Sequence, residues 1–281
     1  MYSAITNFPQ DSKKVKNIIS IDSIFRENPD MNLSTAFEYT LPQKYKNVQS
    51  MTIKSTEIPI SAIYTVSETN DSNFFNIKIN ENTYKIQINS GFYDKTTIVT
   101  FINNIFKKTN ELKSLKYSID PISQLSIFGT TATDISFEFH FEALDEKTKE
   151  YKKYDQILGG YLGFRENTPY ICRNQTSIVS ESPFGISTQK YVFLNIMEYS
   201  DAWNIDKPQL SVRSYPYFNS TYTMGLISLT NPINSVYTTR NYYGKGINIE
   251  KLGIFIVNKH GEIVDLNNND FSFILEITVE E

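Results

Sequence analysis

Apolar and polar residues alternate at period two in segment after segment of this chain, and that pattern commits most of it to strand. The last segment is the cleanest. Phe271, Phe273, Leu275, Ile277 and Val279 share one face, with Ser272, Glu276 and Thr278 opposite, the spacing of a strand buried on one side. Residue usage agrees. The chain holds 35 Ile, 19 Tyr and 19 Phe against 15 Leu and 6 Ala. β-Branched and aromatic side chains suit a pleated, half-buried surface, whereas Ala and Leu favour helix.

The same signal places strands at Ile19 and Ile21, at Phe37, Tyr39 and Leu41, and from Met51 to the Ile58-Pro59 stop. Proline ends that run because it cannot donate to a central ladder. A hairpin is expected at 74–89, where Phe75, Ile77 and Ile79 face Tyr84, Ile86 and Ile88 across the Asn80-Glu81-Asn82 turn,. A second pair flanks Asp120-Pro121. Further strands are expected at Tyr191–Ile196, Tyr222–Leu229 and Ile247–Val257, the last leading into a turn at Asn258–Gly261.

Two helices interrupt the strands. Asp94 is placed to cap a helix whose stripe is Ile98, Phe101, Ile102, Ile105 and Phe106,. A second is expected over roughly 148–162, with Tyr151, Tyr154, Leu158 and Tyr161 at helical spacing. Gly159-Gly160 weakens it by about 1 kcal/mol per glycine, unless those glycines serve close packing. The expected organisation is an N-terminal arm at 1–16 and a single β domain at 17–281, with a helix-containing segment at about 92–163.

Several function classes lose support. Net charge is −4 and the 27 basic residues are scattered, whereas a specific nucleic-acid binder concentrates them on one face. No apolar run reaches the roughly 18 residues of a membrane span, and no secretory signal opens the chain. One cysteine, Cys172, excludes an internal disulfide and a thiolate zinc site,. Phosphate-binding glycine motifs, a G-x-S-x-G elbow and an H-E-x-x-H pair are all absent.

Histidine chemistry has two candidates. Glu138, His140 and Glu142 share a strand face, but same-face neighbours lie about 7 Å apart, too far to converge on one metal. They are expected to form a solvated face. His260 is expected in a turn. No catalytic residue, cofactor or metal site is therefore expected, and the chain is not expected to be an enzyme. The irregular stretch Ser200–Ser220 carries Trp203, Tyr215, Tyr217 and Phe218. Structureless segments of that length are uncommon unless functional or disordered, so these aromatics are expected to pack on the underlying sheet or on a partner subunit.

The order of segments carries a resemblance. IISIDSIFRENP precedes FEYTLPQKYKNVQSMTIKSTEIP, the NFFNIKIN hairpin, SGFYDKTTIVTFINNIF, LGGYLGF and finally KLGIFIVNKHGEIVDLNNNDFSFILEITVE. This succession, from about residue 18 to 281, resembles the penton and minor capsid proteins of nucleocytoplasmic large DNA viruses, the giant viruses. The resemblance implies a jelly-roll β-sandwich working in an icosahedral shell without catalysis or cofactor. With the two helices read above, which exceed a minimal eight-stranded jelly roll, the expected fold class is mainly β, a jelly-roll-type antiparallel β-sandwich with a two-helix α+β elaboration. The resemblance also implies a virion protein assembled in the host cytoplasm, self-associating as a pentamer and touching the major capsid protein and other minor capsid proteins. Trp203, Tyr215, Tyr217 and Phe218, with Arg213 and Arg240, are the expected subunit-interface anchors. Another minor capsid position, or a receptor- or glycan-binding fibre head, is the alternative.

Overall fold

The structure is a computed structural model, and it describes residues 13–29, 32–68, 72–132, 135–145, 149–166, 168–173, 176–185, 190–199 and 222–281. In chain order the first strands are β1 (Lys14–Asp22), β2 (Ala36–Glu57), β3 (Phe74–Ile79) and β4 (Asn82–Gln87), followed by helix α1 (Lys95–Lys108). Next come β5 (Leu115–Ile119), β6 (Leu125–Thr130), β7 (Phe137–His140), helix α2 (Leu158–Leu162), β8 (Tyr170–Cys172) and β9 (Ser177–Pro183). The chain closes with β10 (Tyr191–Tyr199), β11 (Thr223–Ser228), β12 (Val236–Tyr237), β13 (Thr239–Asn241), β14 (Ile247–Val257) and β15 (Ser272–Glu280).

The chain divides into two compact units, 1–63 with 190–281, and 64–189. The first, called the roll below, is wired as one long hairpin wound on itself. Its first strand β1 pairs with its last, β15. The front half of β2 pairs with β14, its rear half with β13, and β10 with its successor β11. Cross-pairs β2–β15 and β10–β14 complete two antiparallel layers, β1-β15-β2-β13 and β2-β14-β10-β11. That is jelly-roll wiring.

β2 belongs to both layers because it bends. Asn47 adopts a left-handed φ of 51°, a conformation that asparagine tolerates better than most residues. Opposite the bend, Gly246 has φ +73°, and a Cβ there would stand 2.5 Å from the Val48 carbonyl oxygen. Pro42 lies between Thr40 and Tyr45, where the β2–β14 register shifts, so its missing N–H costs the ladder little. The two runs read from the sequence, 37–41 and 51–58, are thus one continuous strand. Polar Gln43–Asn47 hid the join, although Tyr45 and Val48 are buried. Ile21, Phe37, Met51, Leu194, Ile254, Phe273 and Ile277 fill the roll's core.

The second unit, the insert, carries its own core between β4-β3-β7-β8 and β5-β6-β9. Phe128 is at its centre, with ring centroids 4.2 Å from Phe139, 4.6 Å from Tyr117 and 5.7 Å from Phe164. α1 starts where expected. The Asp94 carboxylate accepts from the Thr97 backbone at 2.7 Å, and Thr97 Oγ1 accepts from Asp94 N at 2.9 Å, a reciprocal capping box,. Ile98, Ile102 and Phe106 face inward. Asn103 ties the helix to β5, donating to Tyr117 O at 2.7 Å and accepting from Tyr117 N at 2.9 Å.

Three expectations differ from the structure. The single domain over 17–281 is described instead as two units, and the helix-containing segment is the middle of the insert's own core. The arm of 1–16 overlaps β1, which begins at Lys14. The second helix shrinks to Leu158–Leu162 after a 3-10 turn at Tyr154–Gln156. Tyr151 lies in a bridge with Leu144, held by Asp145 N donating to Glu150 O. The glycines serve packing: a Cβ on Gly159 would fall 2.6 Å from Phe141, and one on Gly160 1.9 Å from Tyr154 O.

Candidate functional site

Of the six expected interface residues, Trp203, Arg213, Tyr215, Tyr217 and Phe218 lie outside the described residues. Arg240 is described, on β13 opposite Met51 of β2. Its side chain is 16% exposed. Nη1 donates to Ile196 O at 2.8 Å and to the Glu198 carboxylate, which also accepts from the Tyr242 hydroxyl. Nη2 is buried with no hydrogen-bond partner among the described residues. Burial and the adjacent Glu198 charge push the Tyr242 phenol well above its ordinary value.

This cluster joins β10, β13 and the start of the 242–246 turn on one side of the roll. Tyr199, at the end of β10, is raised to about 12 by burial and by the Glu38 carboxylate. The phenols of Tyr199 and Tyr242 stay protonated at neutral pH and serve as donors. Sequence reading found Arg240 but not its partners, because Glu198 lies 42 residues away in the chain and only strand order brings them together.

The face of Glu138, His140 and Glu142, expected to be solvated, is half-buried, and His140 Nε2 is buried with no hydrogen-bond partner among the described residues. Phe137 and Phe139 turn into the insert's core, and Glu138 and His140 occupy the other face of β7. His140 Nε2 lies 3.4 Å from Glu138, which also faces Arg173 at 3.6 Å. Glu142 follows the strand's end. Among the described residues no group of three His, Cys, Asp or Glu is arranged to hold a metal. His260 lies in the turn after β14, its backbone N–H donating to Asn258 Oδ1 at 2.8 Å. Cys172 is buried. Among the described residues no helix is long and apolar enough to cross a membrane.

Two surface features of the roll escaped sequence reading. A groove of about 700 Å³ runs beside the rear end of β2, with Ile58, Ile227 and Phe271 among its apolar lining and Asp22, Glu57 and Asp270 among its acids. Asp270 is bound to Arg26 Nη1 at 2.6 Å and Ser23 Oγ at 2.7 Å, so part of that acidity is already neutralised. The second feature is β1 itself, which pairs β15 on one side and no described strand on the other. The signal for it was present in the sequence, since Ile18 shares the polar face of β1 with Lys14, Lys16 and Ser20.

No family model matches the sequence, and no curated protein matches it. Among solved structures the chain is similar to the penton protein of mavirus, at 10% identity and a TM-score of 0.37, over 94% of this chain and 99% of that one. It is also similar to a chain of the Sputnik virophage particle, at 12% identity and a TM-score of 0.34, over 95% of this chain and 98% of that one.

Proposed function

We propose that this chain is a structural subunit of the capsid of a large DNA virus, and more specifically a penton subunit at the fivefold vertices. The observation that carries this reading is the wiring of the roll, first strand against last and each inner strand against its counterpart. Jelly rolls build viral capsids but also lectins and cupins, so the fold alone does not choose among them. The order of segments from IISIDSIFRENP to FSFILEITVE supports the shell.

In this reading the chain works by association and turns over no substrate. Five copies close a ring with cyclic symmetry, and the ring contacts the major capsid protein and other minor capsid proteins in the virion, after assembly in the host cytoplasm. Trp203, Tyr215, Tyr217 and Phe218 are the proposed anchors, since large aromatic side chains dominate such interfaces. Arg213 supplies a cation. Arg240, with Nη1 engaged within its own chain and Nη2 buried, is a lesser participant that braces Glu198 and Tyr242.

The test is the pair Trp203→Ala with Tyr217→Ala. It is expected to weaken self-association by at least about tenfold while the circular dichroism and unfolding midpoint of the monomer stay unchanged. Loss of the folded monomer would place these residues in a core and remove them from the interface.

A further inference from the structure

The side of β1 away from β15 pairs with no described strand. Lys13 O accepts from Glu281 N, and Ser23 N donates to Phe271 O, each at 2.9 Å. With the register Lys14↔Glu280 through Asp22↔Ser272, the odd-numbered residues therefore turn their backbone groups toward β15. The even-numbered ones, Lys14, Lys16, Ile18, Ser20 and Asp22, turn theirs outward. An open row of this kind is a template for another strand. It is not shortened, bulged or interrupted by proline along its nine residues.

We propose that β1 pairs antiparallel with β1 of a second copy of this chain, about a twofold axis at Ile18. Only this register overlaps all nine residues while matching outward groups with outward groups. It sets Ile18 against Ile18, Lys16 against Ser20 and Lys14 against Asp22, so each end of the ladder brings a cation to an anion. No like charges meet. Lysine on an edge strand ordinarily discourages pairing; here each Lys14 has the second copy's carboxylate opposite. On the outer face Ile18 is 71% exposed, and the dyad covers it with its own counterpart. On the inner face Val15 meets Ile21, which carries apolar contact across the axis, and Asn17 meets Ile19.

Such a contact is isologous. It goes beyond the capsid reading and does not depend on it, since it joins any two copies of the roll.

The test uses the full chain. In a hydrogen-bonded antiparallel pair the Cα atoms stand about 5.5 Å apart, within the span a disulfide bridges. Ile18→Cys is therefore expected to give a covalent dimer on treatment with diamide. Ile233→Cys, at a position 89% exposed, is the collision control and is expected to stay largely monomeric. Lys14→Asp is expected to weaken the pairing about tenfold by setting like charges opposite, and Lys14→Asp with Asp22→Lys to restore it. Rescue by the double charge swap is peculiar to this register. Crosslinking of Ile18→Cys no faster than the control, or no response to Lys14→Asp, would overturn the proposal, whether or not the capsid reading stands.

Discussion

The roll and the insert bury the same kinds of side chain between antiparallel sheets, yet they are wired oppositely. In the roll, Lys14 pairs with Glu280 and Ala36 with Phe255, so almost the whole chain separates partners. In the insert, Phe74 pairs with Gln87 and Leu115 with Thr130, and a capped helix bridges the two hairpins. Local pairing closes short loops and folds fast; distant pairing must first overcome the entropy of closing a long one. The insert lies within a loop that the roll must close, between β2 and β10. A self-contained insert that folds first shortens the effective length of that loop.

The comparison breaks most visibly if damage to one core spreads to the other. Phe128→Ala opens a cavity at the centre of the insert's aromatic cluster and is expected to cost about 3–5 kcal/mol. Denaturant titration followed by hydrogen exchange should show the loss in β3–β9, with β14 and β15 keeping their protection. A common loss would mean one cooperative core.

Arg240→Ala is the counterpart in the roll. Removing a largely buried guanidinium leaves Glu198 and Ile196 O short of a donor, at an expected cost of about 1.5–3 kcal/mol, read in β10, β13 and β14. If subunit association weakens and monomer stability does not, the residue acts at an interface rather than inside its own chain.

Gly160→Ala sharpens the contrast within the insert. A methyl group 1.9 Å from Tyr154 O forces the backbone to move, with an expected penalty of about 1–3 kcal/mol in the unfolding midpoint of the insert.

Acid gives the smallest effect and acts on both units. Hydrogen bonds from Thr97 hold the Asp94 carboxyl below its ordinary value, as those from Ser123 do for Asp120. In the roll, Lys54 and then Lys16 do the same for Glu276. A depressed carboxylate contributes stability above its unfolded pKa and loses it as pH falls through the folded one. Both units are therefore expected to weaken only below about pH 4, measured by thermal unfolding between pH 6 and 2. A transition that moves already between pH 7 and 5 would point to a different titrating group.

Legibility in the sequence follows the same division. Asp94 and the hairpin at Asn80, which takes φ 53°, were readable because cap, turn and strand signals lie within a few residues of each other. The existence of β1, β10, β14 and β15 was readable from period two, but their order was not, since nothing local in IISID points to ILEIT. The short α2 was overread because Tyr151, Tyr154, Leu158 and Tyr161 mimic a helical stripe. The Leu144–Tyr151 bridge and the extended Ile157, with φ −120° and ψ 162°, break that stripe. Of the candidate site, Arg240 could be picked out, but its engagement with Glu198 depends on a β10–β13 approach that only the fold supplies.

Self-association through closed symmetry is the central claim, and absolute mass in solution tests it most directly. The measurement is light scattering behind size exclusion on the Ser20→Pro chain, whose proline removes an outward N–H of β1 and so blocks the edge pairing without touching the β15 ladder. A species near five times 32.4 kDa is the predicted result. A mass that stays at one chain up to the highest soluble concentration would contradict it.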